Sequence, residues 1–246
     1  MEFAAVSDVG LQRKNNEDNY FIYKNEKLYG GMVADGMGGH NAGEVASKMA
    51  CEIIKQYIIT KFNPDMDYME IAELIRTAFI MANHHIYEAS SANENAGMGT
   101  TATLAFVYEE KLIIAHVGDS RCYRITEDKI EQLTQDHSYV GELVRMGKIS
   151  EDDAKSHPNK NVITRAIGTD KNLKVDINVL KYNYEEIFLC SDGLSNMLSD
   201  TQIKEFSNQD NLEKSLQDMV ALANKKGGFD NITAVAFRNM KGEAGK

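Results

Sequence analysis

An α+β fold, built on an antiparallel β-sandwich with helices packed outside it, is what this 246-residue sequence predicts. Three observations lead there. Runs rich in β-branched and aromatic residues outnumber the helical stretches. Consecutive runs are often separated by no more than a tight turn, which suits hairpins and antiparallel pairing. Strand and helix do not alternate along the chain, as a doubly wound parallel sheet would require.

The elements justify themselves in order. Glu2–Ser7, Asn19–Tyr23 and Leu28–Ala34 read as strands. Two long amphipathic helices follow, divided by Asn63-Pro64-Asp65. The spacing puts Val45, Met49, Ile53 and Tyr57 on one face of the first, and Ile71, Ile75, Ala78, Ala82 and Ile86 on one face of the second. Three further strand-like runs are Thr100–Tyr108, Lys111–Val117 and Arg121–Thr126, the first two joined at Glu109-Glu110. From Gln135 to Asn161 the chain is polar and irregular; Ser150-x-x-Asp153 reads there as a capping box for a short helix. Strands return at Leu173–Leu180 and Glu186–Ser191. Two helices follow, the first opened by a second capping box at Ser199 to Gln202, and Ile232–Phe237 closes the set.

Composition excludes more than it specifies. Hydrophobic residues make up 43% and charged residues 26%, and only two prolines occur, so no linker is visible and one domain over residues 1–240 is expected, with a short polar tail at 241–246. A net charge of −10 repels nucleic acid and anionic lipid, so neither is expected as a partner. Cys51, Cys122 and Cys190 form no C-x-x-C pair, which argues against a disulfide framework or a zinc cluster and for three reduced, mostly buried thiols. Met1 to Gln12 lacks a basic stretch and an apolar core, and no apolar run reaches membrane-spanning length, so a cytoplasmic protein is expected.

The informative pattern is acid at the ends of apolar runs. Gly31-Met32-Val33-Ala34 leads into Asp35-Gly36, Ile187 to Ser191 leads into Asp192-Gly193, Ile113 to Gly118 leads into Asp119, and Asp230-Asn231 stands directly before Ile232. A lone Asp-Gly is most simply a hairpin turn. Neither Asp35-Gly36 nor Asp192-Gly193 is followed by a partner strand, however; each leads toward a helix. For Asp119, a turn between its two flanking strands is an equal alternative. If the ends converge, crowded carboxylates need protons or cations, and all-oxygen ligands select Mg²⁺ or Mn²⁺ over softer metals. Asn16-Glu17-Asp18 adds acid near the N-terminus, where a solvated loop is the plainer reading. Arg13 just upstream has the fork geometry that phosphate recognition uses.

These residues also carry a family resemblance. Ser7-Asp8-Val9-Gly10 with Arg13 and Asn16-Glu17-Asp18, Val33 to His40, Gly97 to Thr101, Val117 to Arg121, Leu133 to Ser138, Thr164 to Gly168, Ser191 to Leu194 and Phe229 to Thr233 occur in order. Together they resemble the metal-dependent PPM/PP2C protein phosphatases, particularly compact bacterial ones, over Glu2 to Phe237. The resemblance implies a four-layer αββα sandwich and hydrolysis of phosphoserine and phosphothreonine by a metal-activated water, without a phospho-enzyme. It implies two core Mn²⁺ or Mg²⁺ ions and a possible third. Asp35 is implied as bridging ligand, Asp192 and Asp230 as further ligands of the first ion, and the Gly36 carbonyl as ligand of the second, with Glu17 and Asp18 holding its waters or binding directly. Asp119 is implied for the third ion, Arg13 for phosphate, and His40 as general acid; a role as helix N-terminal hydrogen-bonding residue competes for His40. Ser138–Lys160 matches the position of a mobile flap. The implied partners are phosphoproteins and a serine/threonine kinase whose action the enzyme, expected as a monomer, opposes.

Other chemistries find less support. A tyrosine-phosphatase-type site needs Arg six residues after its Cys, and Tyr57, Asp128 and Asn196 stand at those positions. Gly97-x-Gly99-x-x-Ala102 precedes a strand instead of following one, so it is not a dinucleotide site. Two alternatives stay open: a non-catalytic, phosphoprotein-binding member of the fold, against which intact Asp35, Asp192 and Asp230 speak, and a regulatory phosphatase of a partner-switching system.

Overall fold

A computed structural model describes residues 1–38, 42–91 and 97–239. His40 and the 241–246 tail therefore lie outside the described residues. The strands are β1 (Glu2–Asp8), β2 (Asp18–Lys24), β3 (Leu28–Met37), β4 (Gly99–Thr100), β5 (Ala102–Tyr108), β6 (Lys111–Val117), β7 (Arg121–Ile125), β8 (Ile130–Gln132), β9 (Asp176–Lys181), β10 (Glu186–Cys190) and β11 (Ile232–Arg238). The helices are α1 (Ala42–Lys61), α2 (Tyr68–Ser90), α3 (Tyr139–Arg145), α4 (Glu151–Ser156), α5 (Asp192–Ser195), α6 (Asp200–Ser207) and α7 (Leu212–Lys225).

Two antiparallel sheets form. One has the order β1-β11-β10-β7-β8; the other has the order β2-β3-β5-β6-β9, with β4 paired to β3. Helices α1 and α2 cover the second sheet, and α5–α7 cover the first. Four layers need three apolar interiors, and three are present. Val33, Val107, Ile114, Leu189 and Val235 fill the space between the sheets. Leu104, Phe106, Ile54, Ile75 and Phe79 lie under α1 and α2, and Phe188, Ala234, Leu216 and Met219 under α6 and α7. A central strand such as β5 therefore sends Leu104 and Phe106 one way and Ala105 and Val107 the other. Burial on both faces explains why it reads as an unbroken apolar run.

The expected sandwich is present, with local corrections; the run Thr100–Tyr108 is broken at Thr101, and the strand expected from Leu173 begins at Asp176. Helix α1 buries Ala42, Ala46, Ala50, Ile54 and Ile58, not a face centred on Val45, which is 37% exposed. Small side chains let the helix lie close on β3, while the bulkier Met49, Ile53 and Tyr57 sit at the edge of the contact. Strand β3 does not end at Ala34 but runs through Asp35 and Gly36 to Met37, because β2 and then β4 continue to pair with it. Finally, β6 and β7 belong to different sheets, so Gly118 to Ser120 crosses the sandwich and is not a hairpin. The two sequence-read capping boxes form at Ser150 and Ser199. The three cysteines are buried and unpaired. Among the described residues no helix is long and apolar enough to cross a membrane.

Candidate metal centre

Both connections that pass from one sheet to the other near β3 carry acid. The β1–β2 connection brings Arg13 and Glu17, and the β6–β7 connection brings Asp119. They meet the N-terminus of α5, with Asp192, and the turn before β11, with Asp230. Together with Asp35 and Gly36 of β3 these residues line one cleft of about 300 Å³. Asn161 and Ile163, just beyond the expected flap, line it from the other side.

The backbone fixes each position. Asp35 donates its N–H to Thr101 Oγ1 at 3.0 Å, and its carbonyl accepts from Thr101 N–H at 2.8 Å and from Thr100 Oγ1 at 2.9 Å. Gly36 donates to the Glu17 carbonyl at 3.1 Å, and a Cβ there would collide with the carbonyl oxygens of Gly43 and Glu17. The start of α1 can approach β3 this closely only across a glycine. Gly118, at φ +112, makes the sheet crossing against Thr101. Its N–H donates to His137 Nδ1 at 3.0 Å and its carbonyl accepts from the His137 N–H at 2.8 Å, which holds the backbone next to Asp119.

Burial, and then charge crowding, raises the acids of the cleft. Burial first, then the neighbouring carboxylates of Asp18, Asp192, Asp119 and Asp230, push Asp35 well above the ordinary range. Burial and Asp192 push Asp119 up to about 8. Burial raises Asp18 to about 7, and burial with Asp230 raises Asp192 to about 6. Glu17 is also raised, by burial, although Arg13 opposes the shift. A surface ion pair joins Arg13 Nη2 to Asp230 Oδ2 at 2.9 Å.

Asp18 differs from the other acids. It is 6% exposed, sits opposite Asp35 in the β2–β3 ladder, and accepts from Ser191 Oγ at 2.7 Å; it stands behind the cleft and does not line it. Ser191 is one residue for which the sequence reading had no role. Its Oγ also accepts from the Thr233 N–H at 3.0 Å. A second is Asn231, whose Oδ1 accepts the Glu17 N–H at 2.8 Å while its Nδ2 donates to the carbonyls of Val9 and Asn15, each at 2.9 Å. The only sequence signal for either is adjacency to Asp192 or Asp230. Long-range hydrogen bonding leaves no local periodicity.

The donor set suits hard cations. Asp192 Oδ1 and Asp18 Oδ1 are buried without a hydrogen-bond donor, an expensive state that a cation relieves. The cleft otherwise offers carboxylate and carbonyl oxygens and no thiolate or imidazole among its described lining residues. Among the described residues no three acidic, imidazole or thiol groups are already drawn together round a single point. The fit rests on the chemistry of the lining carboxylates and on the two orphaned oxygens.

A four-layer sandwich with a carboxylate-lined cleft at its sheet crossings defines a class, and comparison with known proteins agrees. Residues 12–235 match the family model for protein phosphatase 2C, and the chain belongs to that family. It is 38% identical over 240 residues to the serine/threonine phosphatase stp of Listeria innocua, covering 95% of this chain and 94% of that one. It resembles the crystal structure of serine/threonine phosphatase Stp1 from Staphylococcus aureus with a TM-score of 0.91 at 34% identity, covering 97% of this chain and 94% of the other. The catalytic domain of the serine threonine protein phosphatase PstP, solved in complex with two manganese ions, matches with a TM-score of 0.82 at 32% identity over 96% of each chain.

Proposed function

We propose that this chain is a metal-dependent protein serine/threonine phosphatase whose residues 1–240 act as one catalytic domain. The observation that carries the reading is the convergence of Asp35, Asp119, Asp192 and Asp230, from four separate places in the sequence, on a cleft that also holds Arg13. Asp35, the Gly36 carbonyl, Asp192 and Asp230 would hold two core ions, with Glu17 and Asp18 supporting the second and Asp119 with Asp192 supporting a third. Mn²⁺ is the favoured ion, since the PstP catalytic domain was solved with two manganese ions. Bound there, divalent cations supply positive charge for the phosphate oxygens and lower the pKa of water toward neutrality.

The chain's own residues do the rest. Arg13, oriented by Asp230, holds phosphate oxygens through its guanidinium N–H groups. Thr101, Gly118 and Asn231 keep the carboxylates in register across both sheets, so little reorganisation is needed when substrate arrives. The reading makes phosphoproteins its substrates, a serine/threonine kinase its counterpart, and the cytoplasm its place of action as a monomer.

Hydrolysis of a phosphothreonine peptide, measured with Mn²⁺ or Mg²⁺ and with excess chelator, tests this. Turnover is expected only with metal, and Asp35→Asn is expected to lower it by at least ~10²-fold. Full turnover in chelator would contradict the reading. A folded, metal-loaded chain that hydrolyses no phosphopeptide would favour the non-catalytic binding module.

A further inference from the structure

Close in sequence to Arg13 and Asp230, which line the cleft, two large apolar side chains face solvent. Leu11 is 63% exposed and Phe229 is 60% exposed. Both rest on one rigid turn. The N–H groups of Leu11 and Gln12 donate to the Gly228 carbonyl at 2.8 and 3.2 Å. The Leu11 side chain lies over Gly228, and the Phe229 ring folds back over Gly227. Gly227 (φ +137) and Gly228 (φ +52) take conformations that other residues rarely adopt, which lets the turn bring the two side chains together.

Its position gives it a use. Leu11 stands two residues before Arg13, and Phe229 stands one residue before Asp230, the partner of Arg13 at 2.9 Å. One or two residues of extended chain span at most about 7 Å. That is also the reach of a substrate side chain one or two places from the phosphorylated residue. A single exposed apolar residue is ordinary, but two on a locked turn beside the phosphate-facing arginine offer apolar area already organised for binding. Polar or charged residues at these two positions would serve solubility equally well.

We infer that Leu11 and Phe229 form a docking shelf for an apolar side chain flanking the phosphorylated residue of the substrate, so that this chain prefers phosphopeptides with Leu, Ile, Val or Phe beside the phosphoresidue. The inference rests on the phosphatase reading and on Arg13 facing the phosphate. It names a substrate class that the reading alone does not.

The test uses phosphothreonine peptides in a Ser/Gly host, each with a single Leu at −2, −1, +1 or +2, together with p-nitrophenyl phosphate, all with Mn²⁺. Wild type is expected to turn over at least one Leu peptide with kcat/KM roughly 5- to 20-fold above the host peptide, the range one partly buried apolar contact supplies. In Leu11→Ser/Phe229→Ser the advantage should fall below about twofold while p-nitrophenyl phosphate turnover stays at wild-type level. Met69→Ser, a change at a comparably exposed residue on α2, should keep the full preference. Wild type without any positional preference, a double variant that retains it, or equal loss on peptides and p-nitrophenyl phosphate would each overturn the shelf. The single variants Leu11→Gln and Phe229→Gln repeat the measurement where the double variant folds poorly. Turnover of p-nitrophenyl phosphate by wild type separates failure of the shelf from failure of the phosphatase reading.

Discussion

Replacing Asp192 by Asn should make the metal-free protein more stable while removing its catalysis. In the fold, burial and Asp230 raise the Asp192 carboxyl from 3.8 to about 6, so at pH 7.5 the group is ionised in surroundings that prefer it protonated. Each unit of such a shift corresponds to about 1.4 kcal/mol. Two units set a ceiling near ~3 kcal/mol, and screening by water in an open cleft brings the expected gain from neutralisation to about 1–3 kcal/mol. Asn changes little else. Its carbonyl can take the 3.0 Å bond that Asn196 Nδ2 now donates to Oδ2, and its amide N–H₂ occupies the place of Oδ1, which has no donor. For a chain of this length the gain corresponds to a rise in Tm of roughly 3–8 °C. The assay is thermal unfolding at pH 7.5 in excess EDTA, wild type beside Asp192→Asn, with Asp128→Asn as a surface control. Adding Mn²⁺ should reverse the order, because only wild type gains the full free energy of cation binding. A variant that melts at or below wild type in EDTA would refute the argument that the crowded carboxylates are a store of destabilisation.

The same crowding sets a pH dependence for the metal-free protein. Because the folded-state values of Asp119 and Asp18 are raised to about 8 and about 7 from 3.8, the folded state binds more protons, and stability falls as pH rises through this range. Melting temperature in EDTA should therefore increase from pH 8 to pH 6.5; below 6.5 His116 and His137, whose values are lowered by burial, act in the opposite sense. An unchanging or opposite slope in that window would count against the cluster. Gly36→Ala should cost about 3 kcal/mol or more, read by urea unfolding, since its methyl meets the carbonyls of Gly43 and Glu17 and neither backbone can move without disturbing a strand or a helix start. Arg13→Ala should reduce kcat/KM on phosphopeptides by about 10- to 100-fold with Mn²⁺ present, with little change in Tm because the Arg13–Asp230 pair is solvent-exposed.

Much of this was legible in the sequence, for identifiable reasons. Strand β6 was bounded to the residue, because Lys111–Val117 lies between a two-glutamate turn and a glycine that must break it. The buried face of α2 was read correctly because its large side chains carry the pattern. In α1 the large apolar residues mark a different stripe from the buried one, since alanines that allow close approach contribute little apolar signal. Strand β8 and helix α5 are three and four residues long, too short to show a period. The carboxylates of the cleft could be nominated from where apolar runs stop. Which sheet each strand joins, and hence why Asp119 lies at a crossing and not in a hairpin, depends on pairings such as Glu2 with Arg238 that no local window contains.

That last pairing imposes an order on assembly. Strand β1 stands at the edge of its sheet with β11 as its ladder partner, and Asp230 and Asn231 immediately precede β11. Strand β1 cannot complete this ladder until β11 is available, and closing so long a loop is entropically slow. Until then the Val9 and Asn15 carbonyls lack the Asn231 amide, and the loop carrying Arg13 keeps only part of its anchorage, such as Asn16 Nδ2 to Ser7 Oγ and the Gly36 N–H to the Glu17 carbonyl. A chain that ends before residue 230 lacks Asp230 and Asn231 and cannot complete the cleft.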